Sequence, residues 1–390
     1  MSLVELIDAL TPLGVECSCI LRDQGEMTDL LRDRNVETSI VPFKTWVHAQ
    51  KGIFGRVLKL SPHRQVSGAR RLRSAIKRSG CDLVYTNSVT VGASAMAAKL
   101  AGIPHVWHLR EFGYEDYRLS FDLGQRFSSL LMRRLATACI ANSKAVAQAY
   151  RKELGETPMY VVYNAADVPK VLDDPSASKV WRNPSAIRCI LLGKYMSGKG
   201  QEDAVNAMRT LREMNVPAEL LLVGETLDRD YRHRIESIVS RDGMTDRVRI
   251  MDHCSAPAPL MKSADIVLMC SRSEAFGRVT VEGMKMGKPV IGTRSGGTPE
   301  IIEHGVTGFL YDPGDCRTLA VQIAELQKNE ALRTRIGQNA NTTARARFNK
   351  RNYGLDILSV LQDVLANSGH RESQQEANGA VANVTKSVAA

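Results

Sequence analysis

The stretch Ala264-Asp265-Ile266-Val267-Leu268-Met269-Cys270, followed after Ser271-Arg272 by Ser273-Glu274-Ala275-Phe276-Gly277-Arg278-Val279-Thr280-Val281-Glu282, joins a strand to a helix through a turn. The apolar run reads as a buried parallel strand, and Val281-Glu282-Gly283-Met284-Lys285-Met286 reads as the beginning of a helix. A helix mouth offers free N–H groups and the positive end of a dipole, so phosphate or sugar oxygens are natural guests. Two carboxylates flank this mouth. Glu274 lies in the turn and Glu282 one element later, a spacing that suits two parts of one elongated polyhydroxyl ligand. The stretch therefore points to a sugar nucleotide.

Outward from this point, short apolar runs alternate with amphipathic helical stretches in a βα pattern. Strands are expected at Val15–Leu21, Thr38–Val41, Leu83–Thr86, His105–His108 and Ala138–Asn142, with helices near Leu3–Leu13, Arg70–Arg78, Ala93–Ala101 and Ala145–Glu153. A second series places strands at Cys189–Leu192, Glu219–Val223, Val248–Met251, Ile266–Cys270 and Pro289–Thr293. At 390 residues the chain fits two ordinary α/β domains. The expected boundaries are a Rossmann-like domain over 1–167, a proline-marked linker over 168–184, a second Rossmann-like domain over 185–348, a helix over 349–366 and a disordered tail over 367–390. A doubly wound domain normally opens on a strand. Here the chain opens on a helix, with Ser2 and Glu5 at capping-box spacing, so a first strand and its loop are expected to be missing, through a start lying upstream or through a truncation.

Composition narrows the class. Hydrophobic residues make up 44% of the chain, and no long uncharged apolar run is present, so an integral membrane protein is not expected. The eight cysteines are scattered through strand-like runs without metal-ligand spacing, which reads as buried reduced thiols in a cytoplasmic protein. A net charge of +10 is concentrated between Arg56 and Arg78 and again at Arg126, Arg133 and Arg134 beside Phe127, Leu130 and Leu131. Docking on an anionic membrane surface, peripheral on its inner face, is one reading of this basic patch; a solvated helix face is the other. Nucleic acid is disfavoured, since no aromatic platform or groove-reading motif accompanies the charge.

Further loops carry candidate chemistry. Gly193-Lys194-Tyr195-Met196-Ser197-Gly198-Lys199-Gly200 places two cations between a strand and a helix, which suits a diphosphate. It nearly spells a P-loop, yet Gly200 stands where Ser or Thr would hold magnesium. His108-Leu109-Arg110-Glu111 and Tyr85-Thr86-Asn87-Ser88 end neighbouring strands and should share a crevice, making Asn87, Arg110 and Glu111 candidates for the acceptor side. Ser295-Gly296-Gly297-Thr298-Pro299-Glu300 reads first as a structural turn. Asp228-Arg229-Asp230 falls at a helix start rather than a strand end, so a metal-free mechanism without cofactor is preferred.

Taken in order, the Glu274 to Glu282 motif, the Lys194 and Lys199 loop, Ala141-Asn142-Ser143, Val162-Tyr163-Asn164, Gly296-Gly297-Thr298-Pro299-Glu300 and Gly305-Val306-Thr307-Gly308-Phe309 resemble the group 1 (family 4) retaining glycosyltransferases of the GT-B fold. The resemblance implies two Rossmann-like doubly wound domains facing across a cleft, the first on the acceptor side and the second binding the nucleotide sugar. It implies transfer of a hexose-type sugar from a UDP- or GDP-sugar to a glycan or lipid-linked acceptor. By the same resemblance Glu274 binds sugar hydroxyls, and Glu282 binds the ribose diol. Backbone around Phe276, Gly277 and Val279, with Gly193, holds sugar and diphosphate; Lys194 and Lys199 neutralise the leaving group; His108 approaches the sugar. Two departures stand out: the glycine-rich loop after a first strand is absent, and Asp252 replaces a frequent glycine near the base. The alternative is a truncated, catalytically impaired nucleotide-sugar-binding protein, with a P-loop-like nucleotidase further behind.

Overall fold

The computed structural model describes residues 2–49, 62–113, 119–122, 124–168, 174–368 and 388–389. Residues 56–61 of the basic patch, 169–173 of the expected linker, and 369–387 and 390 of the expected tail lie outside the described residues. The chain divides into two units, residues 1–165 with 350–390, and residues 166–349.

The first unit is built on a parallel sheet. Its strands are β1 (Ser18–Leu21), β2 (Glu37–Ile40), β4 (Val84–Thr86), β5 (His105–Leu109), β7 (Ala138–Ala141) and β8 (Met159–Val161), while β3 (Val47–Ala49) and β6 (Leu119–Phe121) pair separately and antiparallel. Strands β1, β4, β5 and β7 are buried throughout, as parallel strands covered on both faces must be. One face packs against helices Ser2–Leu10 and Lys350–Asn367 through Leu6, Leu10, Ile357 and Leu361. The other packs against Pro62–Ser79 and Gly92–Ala101 through Leu72, Ile76, Ala93 and Ala97. A Cβ at Gly354 would stand 2.5 Å from the Ala9 carbonyl oxygen, so the first and last helices touch backbone to backbone there.

Two sequence expectations change here. Ser2 lies inside the first helix rather than capping it. Val388–Ala389, within the segment expected to be disordered, form a strand between β1 and β4, with Cys19 and Tyr85 both in register with Val388. The sheet order is β2-β1-(Val388–Ala389)-β4-β5-β7-β8. Without those two residues β1 and β4 would each present unpaired backbone groups in the middle of a sheet.

The second unit has six parallel strands, β9 (Ile187–Leu192), β10 (Ala218–Val223), β11 (Val248–Met251), β12 (Ile266–Met269), β13 (Val290–Thr293) and β14 (Gly308–Tyr311), in the order β11-β10-β9-β12-β13-β14. Its core gathers Leu220, Leu222, Ile266, Leu268, Leu211 and Ile323. The order reverses at β9 and β12, which makes their carboxyl ends the topological switch point where doubly wound sheets bind ligands. Strand β14 was not expected. It is four residues long and opens on Gly308, whose Cβ would meet the Val290 carbonyl oxygen at 2.4 Å, so glycine there serves close strand approach.

All eight cysteines are free. Burial pushes the thiols of Cys19, Cys139 and Cys270 up to about 12. Among the described residues no helix is long and apolar enough to cross a membrane.

Candidate active site

Three loops at the switch point of the second unit are held together through glycines. Gly200 has φ +68°, and a Cβ there would lie 2.0 Å from the Cys270 carbonyl oxygen, so the loop after β9 rests directly on the loop after β12. Arg272 N donates to Gly198 O at 2.9 Å across the same contact. The loop after β13 closes the other side: Gly297 N donates to Glu274 O at 2.7 Å, and Gly296, at φ +57°, would place a Cβ 2.4 Å from that oxygen. Gly224, after β10, approaches Gly193 O as closely as a Cβ-free residue can. The Ser295–Glu300 turn, read first as structural, thus fixes the backbone of Glu274.

The clamp determines where the side chains meet. Lys199 Nζ donates to Glu274 Oε2 at 2.8 Å, and the two side chains are only 19% and 17% exposed. Gly277, at φ +92°, opens the helix Arg278–Lys285, whose amino end therefore sits in the same turn. Glu282 lies one turn along that helix, with Arg278 Nη2 3.4 Å from its Oε1. The Phe276 ring is buried edge-on against Phe348. Val279 is half-buried in the first helical turn. Gly193 and Lys194 follow β9, but Lys194 reaches outward to the exposed Glu225 at 3.4 Å rather than toward the Lys199 and Glu274 pair.

The near-match to a P-loop fails on geometry. The backbone of Gly200 is left-handed and its Cβ position is filled by Cys270, so no Ser or Thr hydroxyl fits where magnesium would be held. Asp228 accepts from Tyr231 N as the cap of helix Arg229–Arg241, in keeping with acids at helix starts. Asp252, 83% exposed, is bonded by Arg232, which also reaches Glu236 and Thr226 and lies over the Tyr195 ring.

Sequence reasoning missed Asp203. Its carboxylate is 3% exposed and takes Arg272 at 3.0 Å and Gly314 N at 2.9 Å, tying the loops after β12 and β14 together. An acid in helical register with the apolar Ala207 and Leu211 was the available signal.

In the first unit, the ends of β4 and β5 do come together. Arg110 Nη1 donates to Asn87 Oδ1 at 3.3 Å, Ser88 Oγ donates to Glu111 Oε1 at 3.1 Å, and Asn142 Nδ2 donates to Arg110 O at 3.2 Å. Burial raises the Glu111 carboxyl above its ordinary range, against the pull of Arg110 and of the bonds from Val89 and Ser88. His108 is wholly buried, with Tyr85 Oη 2.5 Å from its Nδ1. Burial, reinforced by the Arg110 charge, holds its pKa well below the ordinary histidine value.

Residues 180–343 match the family model described as "Glycosyl transferases group 1", and residues 1–170 match "Glycosyltransferase Family 4". The chain belongs to the group 1 (family 4) glycosyltransferases of the GT-B fold. Among its relatives, this glycosyltransferase chain is 34% identical over 176 residues to N-acetyl-alpha-D-glucosaminyl L-malate synthase of Bacillus anthracis, covering 45% of each protein. It is 27% identical over 159 residues to the lipopolysaccharide core biosynthesis glycosyltransferase LpsE of Rhizobium meliloti (strain 1021), covering 41% of this chain and 45% of that one. Each match spans a little under half of the relative's length. The fold resembles Anabaena Alr3699/HepE, solved in complex with UDP and glucose, at a TM-score of 0.75 and 25% identity over 93% of this chain and 95% of that one.

Proposed function

We propose that this group 1 glycosyltransferase moves a hexose-type sugar from a nucleoside-diphosphate sugar to a glycan or lipid-linked acceptor, with retention of configuration and without a metal. The observation that carries this reading is the Lys199 and Glu274 pair, held by glycine-to-backbone contacts beside a helix amino end at the switch point of the sheet. Lys199 and the helix end supply positive charge where a diphosphate departs, and stabilising charge that develops during bond cleavage is usually the largest catalytic term. Glu274 orients sugar hydroxyls, Glu282 takes the ribose diol, and the backbone of Gly193, Phe276, Gly277 and Val279 borders the diphosphate. Lys194, on the outward side, adds long-range charge.

In the proposed step the bond between the anomeric carbon and the diphosphate oxygen breaks. The acceptor hydroxyl oxygen bonds to that carbon on the same face, and its proton passes to an oxygen of the departing diphosphate. No carboxylate nucleophile is required. His108 of the first unit is assigned to a sugar oxygen, and Asn87, Arg110 and Glu111 to the acceptor. UDP and GDP are both chemically suitable donors; binding of UDP and glucose by Alr3699/HepE favours a UDP-sugar.

The exposed Arg70, Arg71, Arg73, Lys77 and Arg78 on helix Pro62–Ser79, and Arg126, Phe127, Leu130, Arg133 and Arg134 on Gln125–Leu135, support docking on an anionic membrane surface. Sedimentation with vesicles of rising anionic-lipid content tests this, and charge-independent behaviour would sink it. The donor reading is tested by thermal shift with UDP-, GDP- and ADP-sugars together with a product assay, since a ligand that binds the native state raises its melting temperature. Failure of every donor to shift the protein or release a nucleoside diphosphate would overturn the proposal.

A further inference from the structure

The two ring nitrogens of His108 have unlike surroundings. Nδ1 lies 2.5 Å from Tyr85 Oη and 3.5 Å from Arg110 Nη1. Nε2 is buried and has no hydrogen-bond partner among the described residues. The Tyr85 and His108 rings meet edge-on, 5.8 Å apart at 89°. This meeting follows from the sheet: Tyr85 is in register with Val106, and His108, two residues further along β5, points to the same face. That face is packed by the first and last helices of the unit, so Tyr85 is 2% exposed and His108 not at all.

The groups around Nδ1 favour one proton arrangement. A guanidinium can only donate, so Arg110 facing Nδ1 disfavours a second N–H on that nitrogen. Burial pushes Tyr85 well above its ordinary pKa, so its hydroxyl keeps its proton. The same burial, with Arg110, keeps the imidazole neutral. A protonated phenol beside a bare Nδ1 donates to it, and the imidazole proton resides on Nε2.

We infer that Tyr85 is a positioning residue, whose hydroxyl fixes His108 as the Nε2–H tautomer and thereby keeps an unpartnered hydrogen-bond donor for a sugar oxygen. The sugar half of this inference rests on the proposed function; the tautomer half stands on the first unit alone. A buried donor that lacks a protein partner is unsatisfied until a ligand oxygen reaches it, and a donor already oriented needs no rearrangement when charge shifts in the reaction. Neither hydroxyl removal nor tautomer exchange changes the hydrophobic packing of the ring.

The test is long-range ¹⁵N–¹H correlation of the histidine rings in the ligand-free full chain, with His108→Asn used to assign the His108 signals. Wild type is expected to show His108 with Nε2 protonated and Nδ1 in the range of a hydrogen-bonded acceptor. In Tyr85→Phe the two nitrogen shifts are expected to move toward each other as the tautomers mix. In the transfer assay Tyr85→Phe is expected to lower kcat by about tenfold while the donor KM stays within about twofold. An Nδ1-protonated His108 in wild type overturns the inference, even if Tyr85→Phe does not fold. So does a Tyr85→Phe protein with an unchanged ring spectrum, or one with unchanged turnover. If wild type transfers no sugar from any donor, the proposed function and the sugar half fail together, while the ring spectrum still decides the tautomer.

Discussion

Lys199 and Glu274, 75 positions apart in the chain, form a 2.8 Å ion pair that is more than four-fifths buried. The cation assigned to the diphosphate is therefore engaged by the carboxylate assigned to the sugar. Glu274→Gln removes the competing charge and keeps the side-chain shape. Free nucleoside diphosphate is expected to bind that variant about two- to tenfold more tightly, in line with about 1 kcal/mol for a partly exposed pair. Sugar transfer is expected to fall by about 10²-fold. Calorimetric titration with UDP and GDP, set beside turnover, checks both. Weaker diphosphate binding would separate Lys199 from the phosphate role.

Lys199 and Glu282 should divide the two kinetic constants. Lys199→Ala is expected to reduce kcat by about 10²-fold, more than it raises the donor KM, because its charge matters most as the bond breaks. Glu282→Ala is expected to raise the donor KM by about tenfold with a smaller change in kcat. The opposite division would refute the roles assigned to both residues.

Gly200→Ser supplies the hydroxyl that a P-loop would use. Its left-handed φ and the Cys270 carbonyl oxygen 2.0 Å from the new Cβ predict a loss of about 2–4 kcal/mol in the stability of the second unit. Denaturant unfolding measures it. No magnesium-dependent phosphatase activity is expected to appear, and its appearance would revive the P-loop reading.

Histidine burial sets a pH dependence. Burial takes His105 from an ordinary 6.5 to about 3, and burial with Arg110 holds His108 well below 6.5. Below about pH 6.5 the unfolded chain therefore binds protons that the folded one refuses, so stability rises with pH. The contribution is complete above the ordinary histidine pKa and is lost as pH falls from there toward 3. Glu111, whose carboxyl is raised above 4.5 by burial, acts in the opposite sense just above its ordinary value. The urea midpoint is expected to fall from pH 7 to pH 5, and to fall less in His108→Gln. A flat profile in wild type would contradict the buried neutral state of both rings.

Ending the chain at Ser368 removes Val388–Ala389 from between β1 and β4. The first unit is expected to melt earlier while the second keeps its transition, and the shortened protein is expected to aggregate more readily through its unpaired strand edges. Scanning calorimetry and light scattering read the two effects. An unchanged first transition would show that the pairing contributes nothing.

Much of this was legible beforehand. Five strands of the second unit could be read because Leu220 to Val223 and Ile266 to Met269 are continuous apolar runs of strand length. Glu274, Lys199 and Glu282 stood out because charge beside glycine at a strand-to-helix turn has few structural reasons. What escaped was set by distant neighbours. Strand β14 escaped because the partner of its first residue, Gly308, is the Val290 carbonyl on another strand. The outward course of Lys194 depends on Glu225 in a different loop. Val388 and Ala389 carry no periodic signal at all, since two residues cannot display one, and only the opening between β1 and β4 gives them a place.

That last pairing bears on how the protein is made. Cys19 and Tyr85 take a sheet neighbour from residues that are synthesised after the whole second unit, and helix Ser2–Leu10 packs against Lys350–Asn367. The second unit is contiguous in the chain and can complete its sheet on the ribosome, while the first cannot, although its sequence emerges first. The usual amino-to-carboxyl order of domain folding is thereby reversed, and the nascent first unit must wait, with apolar strands β1 and β4 exposed, until Val388–Ala389 have been made.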